Sequence, residues 1–248
     1  MSEKNNGKIR LAMAETLREL AVEKSPFDPN RNYIGLSNIH ECVRALWFKI
    51  NSDEPGRVIR SQKMIAYESY REQRHVIADL KAKGWKITSE EMSIHDFNND
   101  RKLDPLIDGH IEGIILHNGS EILLEVKVPR SMHVMNRVIR ERKVPLKVYD
   151  QVQLYMNYTK LESAVVIYKN IFDCDYFDVT VFFNDKRVKT LLKKIDDIIK
   201  IVTKDELPEV ERNIYQDREC KLCQFRYICK DKVKKQYRFE KNYDRRMI

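Results

Sequence analysis

The feature that most constrains the fold is an Asn-Gly pair, Asn118-Gly119, between two apolar runs at residues 111–116 and 122–128. Asn-Gly in this setting predicts a two-residue β-hairpin, because a type I′ turn needs positive φ at both central residues. If Asn118 and Gly119 occupy those positions, the numbers of directly opposite residues sum to 237. The sequence therefore predicts not only a hairpin but also its register.

This register places Glu112 opposite Glu125 and His110 opposite Lys127. Side chains alternate between the two faces of a strand. One face would thus carry five polar residues: Asp108, His110, Glu112, Glu125 and Lys127. Facing carboxylates destabilise a strand pair, and their hard oxygens suit Mg²⁺ or Mn²⁺. Lys127 would neutralise charge on a phosphate, and His110 is expected beside the ligands or in solvent. A solvated charged face is the alternative.

The acidic residue followed by Glu-x-Lys on the next strand resembles the core of the PD-(D/E)XK nucleases. The likeness is to the RecB-like branch, which includes the CRISPR-associated exonucleases, and it rests on Gly-His-Ile-Glu at 109–112 and Glu-Val-Lys at 125–127. The family usually has Asp where this chain has Glu112. Asp108 is the alternative ligand, but four strand residues place it about 13 Å from Glu112, so Glu112 is preferred.

Three cysteines near the C-terminus, Cys220, Cys223 and Cys229, have the spacing of metal ligands. Thiolates two residues apart can share one metal or one cluster. Cys42, far upstream, is the candidate fourth ligand, although a buried helical cysteine is an ordinary alternative. Cys174 has no partner at a ligand spacing and is expected to be a bystander. Spacing alone leaves zinc open, because a tetrahedral four-cysteine site does not depend on sequence separation.

The resemblance extends to these cysteines. In the CRISPR-associated and AddB-like nucleases, one N-terminal cysteine and a C-terminal trio jointly bind a [4Fe–4S] cluster. The segments around Cys42 and at residues 220–229 are similar to those two elements. The resemblance therefore implies an α/β fold, with a restriction-endonuclease-like central mixed sheet flanked by helices. It also implies a structural cluster that joins the N- and C-terminal parts.

The same resemblance implies further residues of the catalytic site. His75, on a helix before the sheet, and the carbonyl of Val126 would bind the metal ion. A Gln-x3-Tyr motif at Gln151 and Tyr155 would lie near the metal, where an amide and a phenol can hydrogen-bond phosphate. Gln153 competes for the role of Gln151. Without the resemblance, His75 is an ordinary helix residue and the motif belongs to a half-buried amphipathic helix.

The composition points to a polyanionic partner. The 248 residues include 46 Lys and Arg against 38 Asp and Glu, which gives a net charge of +8. Such a balance favours nucleic acid. Basic residues recur at Arg130, Arg137 and Arg140, continue to Arg142 and Lys143, and return at residues 230–238. Contacts from these residues to the DNA backbone would depend strongly on salt and little on sequence. Solubilising basic faces are the alternative.

No apolar run reaches the length of a membrane span, and the N-terminus does not resemble a secretory signal. An intracellular protein is therefore expected, in which cysteines act as ligands or buried thiols rather than in disulfides. One domain is predicted, with an N-terminal helical part at 1–57, a nuclease core at 58–203 and a cluster-binding segment with a basic tail at 204–248. Residues 1–7 are expected to be disordered.

Periodicity and turn signals predict the elements beside the hairpin. Helices are expected over residues 8–24, 37–50 with Ser37 as the N-cap, 58–83, 131–143, 147–158 and 186–203, and strands over 85–94, 165–168 and 177–183.

These observations predict a deoxyribonuclease that uses Mg²⁺ or Mn²⁺ and digests single-stranded DNA or DNA ends as an exonuclease. Its catalytic residues would be Glu112, Glu125, Lys127, Gln151 and Tyr155. A DNA-end-binding or integration-assisting module with weak nuclease activity is one alternative, and a zinc-bound nucleic-acid-binding protein is another. Self-association, or a CRISPR or recombination protein as partner, is left open.

Overall fold

The computed structural model describes residues 15–26, 32–54, 56–57, 60–97, 103–210 and 216–232. The chain divides into two compact units. The first comprises Met1–Asp28, Tyr33–His40 and Arg60–Asp197, and the second comprises Pro29–Asn32, Glu41–Ile59 and Ile198–Ile248. The second unit thus draws on both the N-terminal and the C-terminal part of the chain. The predicted disorder of residues 1–7 and the basic residues 233–238 lie outside the described residues.

Eight α-helices are present in the described residues, with two short 3₁₀-helices at Leu36–Asn38 and Ile94–Asp96. The α-helices are α1 (residues 15–23), α2 (Val43–Asn51), α3 (Arg60–Ala82), α4 (Met132–Glu141), α5 (Leu146–Thr159), α6 (Asp185–Val202), α7 (Arg218–Leu222) and α8 (residues 226–232). None of these helices, as far as they are described, is long and apolar enough to cross a bilayer.

The strands form a five-stranded sheet and a two-stranded sheet, both in the first unit. They are β1 (Ile34–Gly35), β2 (Lys86–Thr88), β3 (Ile107–Asp108), β4 (Gly113–His117), β5 (Ser120–Lys127), β6 (Ser163–Lys169) and β7 (Tyr176–Phe182). The larger sheet has the order β2-β4-β5-β6-β7. Its β5–β6 pair is parallel and its other pairs are antiparallel. The predicted central mixed sheet is confirmed.

Helices α3 and α5 cover opposite faces of the sheet at β5. One face of this strand is apolar and the other is polar. Leu124 and Val126 pack against Val76 and Ile77 of α3 in one apolar cluster. The alternate residues of β5 face the other way, toward α5, whose Gln151 hydrogen-bonds Glu125. The sequence thus forms one dry face and one polar face on the same strand, and the polar face is covered by a helix.

The predicted strand over residues 85–94 is wrong beyond Thr88. Ser89 and Glu91 both have φ of 55°, a left-handed conformation that extended strands do not adopt. The chain turns there and forms the 3₁₀-helix that starts at Ile94. The apolar spacing of this segment resembled a strand, but the turn chemistry decided its conformation.

The helix predicted from Ser37 is split in two. Ser37 lies within the first 3₁₀-helix, and α2 begins only at Val43, with Cys42 at its N-cap position. The carbonyl of Cys42 accepts hydrogen bonds from the backbone N–H groups of Ala45 and Leu46, at 2.9 and 3.1 Å. The Cys42 side chain is therefore at the start of the helix, not one turn inside it.

The second unit has its own small core. Phe48 of α2 stacks on Phe225, with ring centroids 5.8 Å apart. Ile228 completes the buried cluster, and Trp47 and Leu207 pack against it.

Candidate active site

The β4–β5 hairpin has the register that the sequence predicts. Asn118 and Gly119 have φ of 49° and 79°, and the ladder pairs His117 with Ser120 and Gly113 with Leu124. Glu112 directly precedes β4, so continuation of this register places it beside Glu125 of β5. The charge of Glu125 acts on Glu112, in agreement with this register.

Glu125 is buried and Glu112 is half-buried, and each has a buried oxygen without a hydrogen-bond partner among the described residues. Glu125 is 2% exposed, and the Oε2 atoms of Glu112 and Glu125 are buried without a hydrogen-bond partner among the described residues. Burial raises the pKa of the Glu112 carboxyl to about 8, and the charges of Glu125 and Glu91 add to the rise, whereas Lys127 and Arg74 oppose it. Two carboxylates with buried, unpaired oxygens need positive charge close to them.

Part of that charge comes from Lys127, one pleat further along β5. Its Nζ lies 2.5 Å from Glu125 Oε1 and donates to Gln151 Oε1 at 3.0 Å. The Gln151 amide nitrogen lies 3.3 Å from Glu125 Oε1 and 3.2 Å from the Tyr155 hydroxyl. Gln151 and Tyr155 therefore lie on the face of α5 that covers the carboxylates.

Gln153 belongs to a different face of α5. Its amide donates to the carbonyl of Phe182 at 2.7 Å and accepts from the N–H of Asn184 at 2.7 Å. It therefore links α5 to the end of β7, and its two hydrogen bonds leave it no role beside Glu125.

Gly109 makes room for Tyr155. A Cβ atom at this position would lie 2.7 Å from Tyr155 Cε1 and 3.2 Å from its hydroxyl oxygen. Any larger residue would displace the Tyr155 ring. The glycine of the Gly-x-x-acid element thus has a steric reason here.

Asp108 and His110 do not share the face of Glu112, because the chain is not one continuous strand from 108 to 117. Asp108 lies in β3, which pairs with β1, and its Oδ1 accepts hydrogen bonds at 2.7 Å from the Ser93 hydroxyl and the Gly109 N–H. His110 bridges to Ser93 and is exposed. The prediction of one shared face is wrong for these two residues.

Gln73 of α3 contacts the C-terminal end of β5, where its Nε2 donates a hydrogen bond to the carbonyl of Val126 at 2.9 Å. Val126 lies beyond the last β4–β5 pair, where a side chain can approach its carbonyl. His75 is exposed and is about 200° around the helix from Gln73, since each residue turns an α-helix by about 100°. The structure therefore places Gln73, and not His75, at the expected metal-binding carbonyl.

Tyr168 is a further residue of this site that the sequence did not reveal. It pairs with Lys127 across the parallel β5–β6 ladder, which puts both side chains on the polar face. Its hydroxyl is buried without a partner among the described residues, and burial together with the charge of Glu125 raises its pKa. Its period-two position in β6 was the available signal.

Asp150, a buried carboxylate of the same unit, differs from Glu112 and Glu125 in having partners for its oxygens. It is fully buried, and Arg187 contacts its two oxygens at 2.6 and 2.5 Å, while His40 Nε2 lies 2.7 Å from Oδ2. Both of its oxygens are satisfied. Among the carboxylates of the described residues, buried oxygens without a partner occur at Glu112 and Glu125, and a cation would satisfy them.

The hairpin site contains two carboxylates and one backbone carbonyl as oxygen donors. Within the described ranges, no three His, Cys, Asp or Glu side chains are grouped closely enough for one ion. Buried carboxylate and carbonyl oxygens beside a lysine nevertheless fit a hard divalent ion that retains several waters, as Mg²⁺ does.

Five of the basic residues that were predicted to contact nucleic acid are exposed, namely Arg130, Arg137, Arg140, Arg142 and Lys143. Arg130 follows β5 directly, and Arg137 and Arg140 lie on α4, where both contact Glu141, at 4.0 and 3.1 Å. They form the outer surface of the segment that leads away from Lys127.

The four candidate cysteine ligands come together in the second unit. Burial raises the pKa of the Cys223 thiol to about 11, and the nearby Cys42, Cys229 and Cys220 add to the rise. Cys174 is exposed, in the turn between β6 and β7, and belongs to the first unit.

Arg44 lies beside one of these thiols, Cys229. It is 4% exposed, and its charge and a hydrogen bond to Cys229 oppose the rise that burial causes in the pKa of that thiol. One guanidinium nitrogen donates to the carbonyl of Pro208 at 2.5 Å, and no carboxylate of the described residues pairs with it. A buried cation without an anion is unfavourable, so this site lacks negative charge.

Comparison with known proteins shows the fold. No protein-family model and no curated protein matches the chain. Among solved structures, the alkaline exonuclease LHK-Exo from Laribacter hongkongensis is similar, with a TM-score of 0.53, 12% identity and coverage of 70% of this chain and 89% of that chain. Its complex with dAMP gives a TM-score of 0.52, with 12% identity and coverage of 69% and 88%. The crystal structure of SSO0001 gives a TM-score of 0.54, with 18% identity and coverage of 88% and 96%. The chain has the α/β fold of these structures.

Proposed function

We propose that this chain is a divalent-metal-dependent DNA exonuclease of the PD-(D/E)XK class, resembling the CRISPR-associated RecB-like enzymes. One observation carries the proposal. Glu112 and Glu125 each have a buried oxygen without a partner among the described residues, the charge of Glu125 acts on Glu112, and Lys127 lies against Glu125. The fold shared with an alkaline exonuclease, which has also been crystallised with dAMP, supports the same chemistry.

Glu112, Glu125 and the Val126 carbonyl would bind Mg²⁺ or Mn²⁺, with Gln73 beside them in place of His75. When bound, such an ion polarises the scissile phosphate and lowers the pKa of a water molecule. The ammonium of Lys127 would stabilise the charge that develops on the phosphate. Gln151 orients both Lys127 and Glu125 through its hydrogen bonds.

Tyr155 and the basic residues would position the substrate. Tyr155 lies next to Gln151, where a phenol can donate to a phosphate oxygen. The exposed Arg130, Arg137 and Arg140 would follow the DNA backbone toward the site. Their contacts would be independent of sequence and sensitive to salt.

We further propose that Cys42, Cys220, Cys223 and Cys229 bind a [4Fe–4S] cluster with a structural role. The support is the charge balance around Arg44, since four thiolates on a metal centre would supply the missing negative charge. A single tetrahedral zinc would need thiolates about 3.8 Å apart, given a zinc–sulfur bond of about 2.3 Å. The described thiols do not form such a tight group, whereas a cluster binds each cysteine at a different iron.

The test is digestion of end-labelled linear DNA by anaerobically purified full-length protein, with Mg²⁺, Mn²⁺ or EDTA. A closed circular DNA of the same sequence is the control for endonuclease activity. We expect metal-dependent release of short products from linear DNA only, together with iron and sulfide in the protein. Digestion that persists in Glu125→Gln would identify a contaminating nuclease and exclude the proposal.

Two alternatives predict other outcomes. A DNA-end-binding or integration-assisting module would bind the labelled ends tightly without digesting them. The Glu at position 112 favours this alternative, because the family usually has Asp there. A zinc-bound nucleic-acid-binding protein would be colourless, with one zinc per chain.

A further inference from the structure

The two edges of the five-stranded sheet differ in how they are protected. β2 forms one edge and β7 forms the other. β2 is three residues long and carries the exposed Lys86. Short length and an exposed lysine are features that prevent an edge strand from pairing with another chain. β7 is seven residues long and contains no lysine, proline or glycine, so its edge lacks this protection.

The backbone groups of β7 point alternately toward β6 and away from it. The N–H of Asn170 donates to the carbonyl of Asp175. The N–H of Phe183 donates likewise to that of Glu162. The ladder between β6 and β7 keeps one register throughout, so the odd-numbered residues of β7 bond to β6. The even-numbered residues place their N–H and C=O groups on the outer edge, namely Tyr176, Asp178, Thr180 and Phe182.

Two of these eight outer-edge groups already have partners. The N–H of Tyr176 donates to the Asp175 carboxylate at 2.8 Å. The carbonyl of Phe182 accepts from the Gln153 amide at 2.7 Å. Six groups have no hydrogen-bond partner among the described residues. They are the N–H groups of Asp178, Thr180 and Phe182 and the carbonyls of Tyr176, Asp178 and Thr180.

We propose that β7 pairs with β7 of a second copy of this chain, antiparallel and centred on Val179. The numbers of opposite residues then sum to 358. Asp178 lies opposite Thr180 of the other copy, and Tyr176 lies opposite Phe182. Residues that are opposite in this way exchange N–H···O=C bonds. The twelve groups without partners in the two copies then form six hydrogen bonds, and no group that already has a partner is needed.

The neighbouring registers are less favourable. A shift by two residues in one direction places Asp178 directly opposite Asp178 of the other copy, and like charges in this position are destabilising. A shift by two residues in the other direction needs the carbonyl of Phe182, which Gln153 already occupies. A shift by one residue places the outer-edge groups opposite residues that bond to β6. The backbone therefore selects a single pairing.

The side chains fit the same pairing. Tyr176 and Phe182 are 48% and 71% exposed, whereas large apolar side chains are more often buried. Val165, the β6 partner of Thr180, packs against the α3 cluster, so all four outer-edge side chains lie on that face. Each exposed ring of one copy then lies beside an exposed ring of the other, and the Asp178 carboxylate meets the Thr180 hydroxyl. Cross-strand pairs of both kinds stabilise a sheet.

The pairing also relates the two candidate active sites. A two-fold axis normal to the sheet joins two five-stranded sheets into one of ten strands. The faces that α5 covers then lie on the same side. The two β5 strands are five strand spacings apart, which is about 24 Å. The inference itself rests on the edge of the sheet and does not depend on the nuclease function.

The test is analytical ultracentrifugation of the full-length protein over a range of concentrations. Thr180→Asp places an Asp opposite Asp178 of the other copy. The double variant Asp178→Thr/Thr180→Asp has the composition of the unmodified protein and restores a pair of Asp with Thr. Thr88→Asp, at the exposed last residue of β2 on the other edge, is the matched control.

We expect the unmodified protein to approach twice the 29.6 kDa of one chain as its concentration rises. Thr180→Asp should raise the dissociation constant of the dimer about tenfold, because two unfavourable pairs arise in each dimer. The double variant should regain most of the affinity, and Thr88→Asp should match the unmodified protein. The proposal is overturned by an unmodified protein that stays monomeric, by equal affinity in Thr180→Asp, or by a double variant that dimerises no better than Thr180→Asp.

Hydrogen exchange of the unmodified protein tests the pairing without any substitution. The outer-edge amides of Asp178, Thr180 and Phe182 should exchange about tenfold more slowly in the dimer at high concentration than in the monomer at low concentration. The amide of Val181, which bonds to β6, should be protected at both concentrations. Protection of the outer-edge amides in a monomeric protein would show that another segment of the same chain covers β7, and it would overturn the proposal.

Discussion

The carboxylate site of the first unit and the thiol site of the second are both incomplete in charge, but in opposite directions. Glu112 and Glu125 have buried oxygens that lack a cation, and burial raises the pKa of Glu112. Arg44 is a buried cation that lacks an anion among the described residues. A buried charge that the fold leaves unbalanced points to a bound group of the opposite sign. The comparison predicts a divalent cation in one site and an anionic metal–thiolate centre in the other.

The largest effect should come from the carboxylate site. Glu125→Gln should lower the rate of metal-dependent DNA digestion by more than about 100-fold, since loss of a residue that only supports a ligand already costs 10–100-fold. DNA binding in EDTA should remain. Glu121→Gln, at an exposed position of the same strand, is the matched control and should digest normally. If Glu125→Gln digests DNA as fast as Glu121→Gln and the unmodified protein, Glu125 is not part of the active site.

The thiol site should affect stability more than any single contact. Cys42→Ala and Cys223→Ala should each lose the bound metal and lower the melting temperature by about 10 °C or more, because metal binding contributes directly to folding. Cys174→Ala should keep both, as it lies in the other unit. Metal analysis and calorimetry measure the two effects. Retention of full metal content in Cys42→Ala would remove Cys42 from the ligand set.

Substitutions of Gln73 and His75 test whether the residue that the structure places at the site, or the residue that the family resemblance implies, contributes to activity. Gln73→Ala should lower digestion by about 10- to 100-fold, because it removes the side chain that contacts the Val126 carbonyl. His75→Ala should change the rate less than about twofold. The reverse result would mean that α3 is rotated in the active enzyme. Initial rates at saturating Mn²⁺ are the measurement.

Glu112 should make metal binding depend on pH. Its folded pKa of about 8 is above the ordinary 4.5, so the folded chain retains a proton that the unfolded chain releases between these values. Without metal, the free energy of unfolding should therefore fall as the pH rises from about 4.5 to about 8. A divalent ion must displace this proton, so affinity for Mn²⁺ should rise over the same window. Glu112→Gln should flatten both curves in denaturation and calorimetric titrations.

Substitution of Arg44 should have the smallest effect on stability. It tests directly whether the thiol site needs a bound group of negative charge. Arg44→Met should stabilise the metal-free protein slightly, because it removes a buried unpaired cation. The same variant should bind metal less tightly, because the charge beside Cys229 is lost. Arg44→Lys, which keeps the charge, should restore most of the binding. A loss of stability in the metal-free Arg44→Met protein would show instead that the hydrogen bonds of Arg44 to Pro208 and Cys229 outweigh the cost of its buried charge.

The sequence determined what depends on neighbouring residues. Asn118-Gly119 fixed the turn, and the turn fixed the register that brings Glu112 to Glu125, because a two-residue turn leaves one pairing. The elements of the mixed sheet and the helices after it were predictable for the same reason. Apolar periodicity was less reliable where left-handed residues interrupt it, as at Ser89 and Glu91.

The tertiary structure decided what depends on packing between distant segments. Whether Gln73 or His75 faces the site depends on how α3 packs on the sheet. The two residues are two positions apart, so their side chains are about 200° apart around the helix axis. The pairing of Asp150 with Arg187 and the contact of Arg44 with Pro208 likewise arise from segments that are far apart in the chain. Sequence spacing fixes the direction of a side chain along its own element, and only the packing of elements decides what that side chain meets.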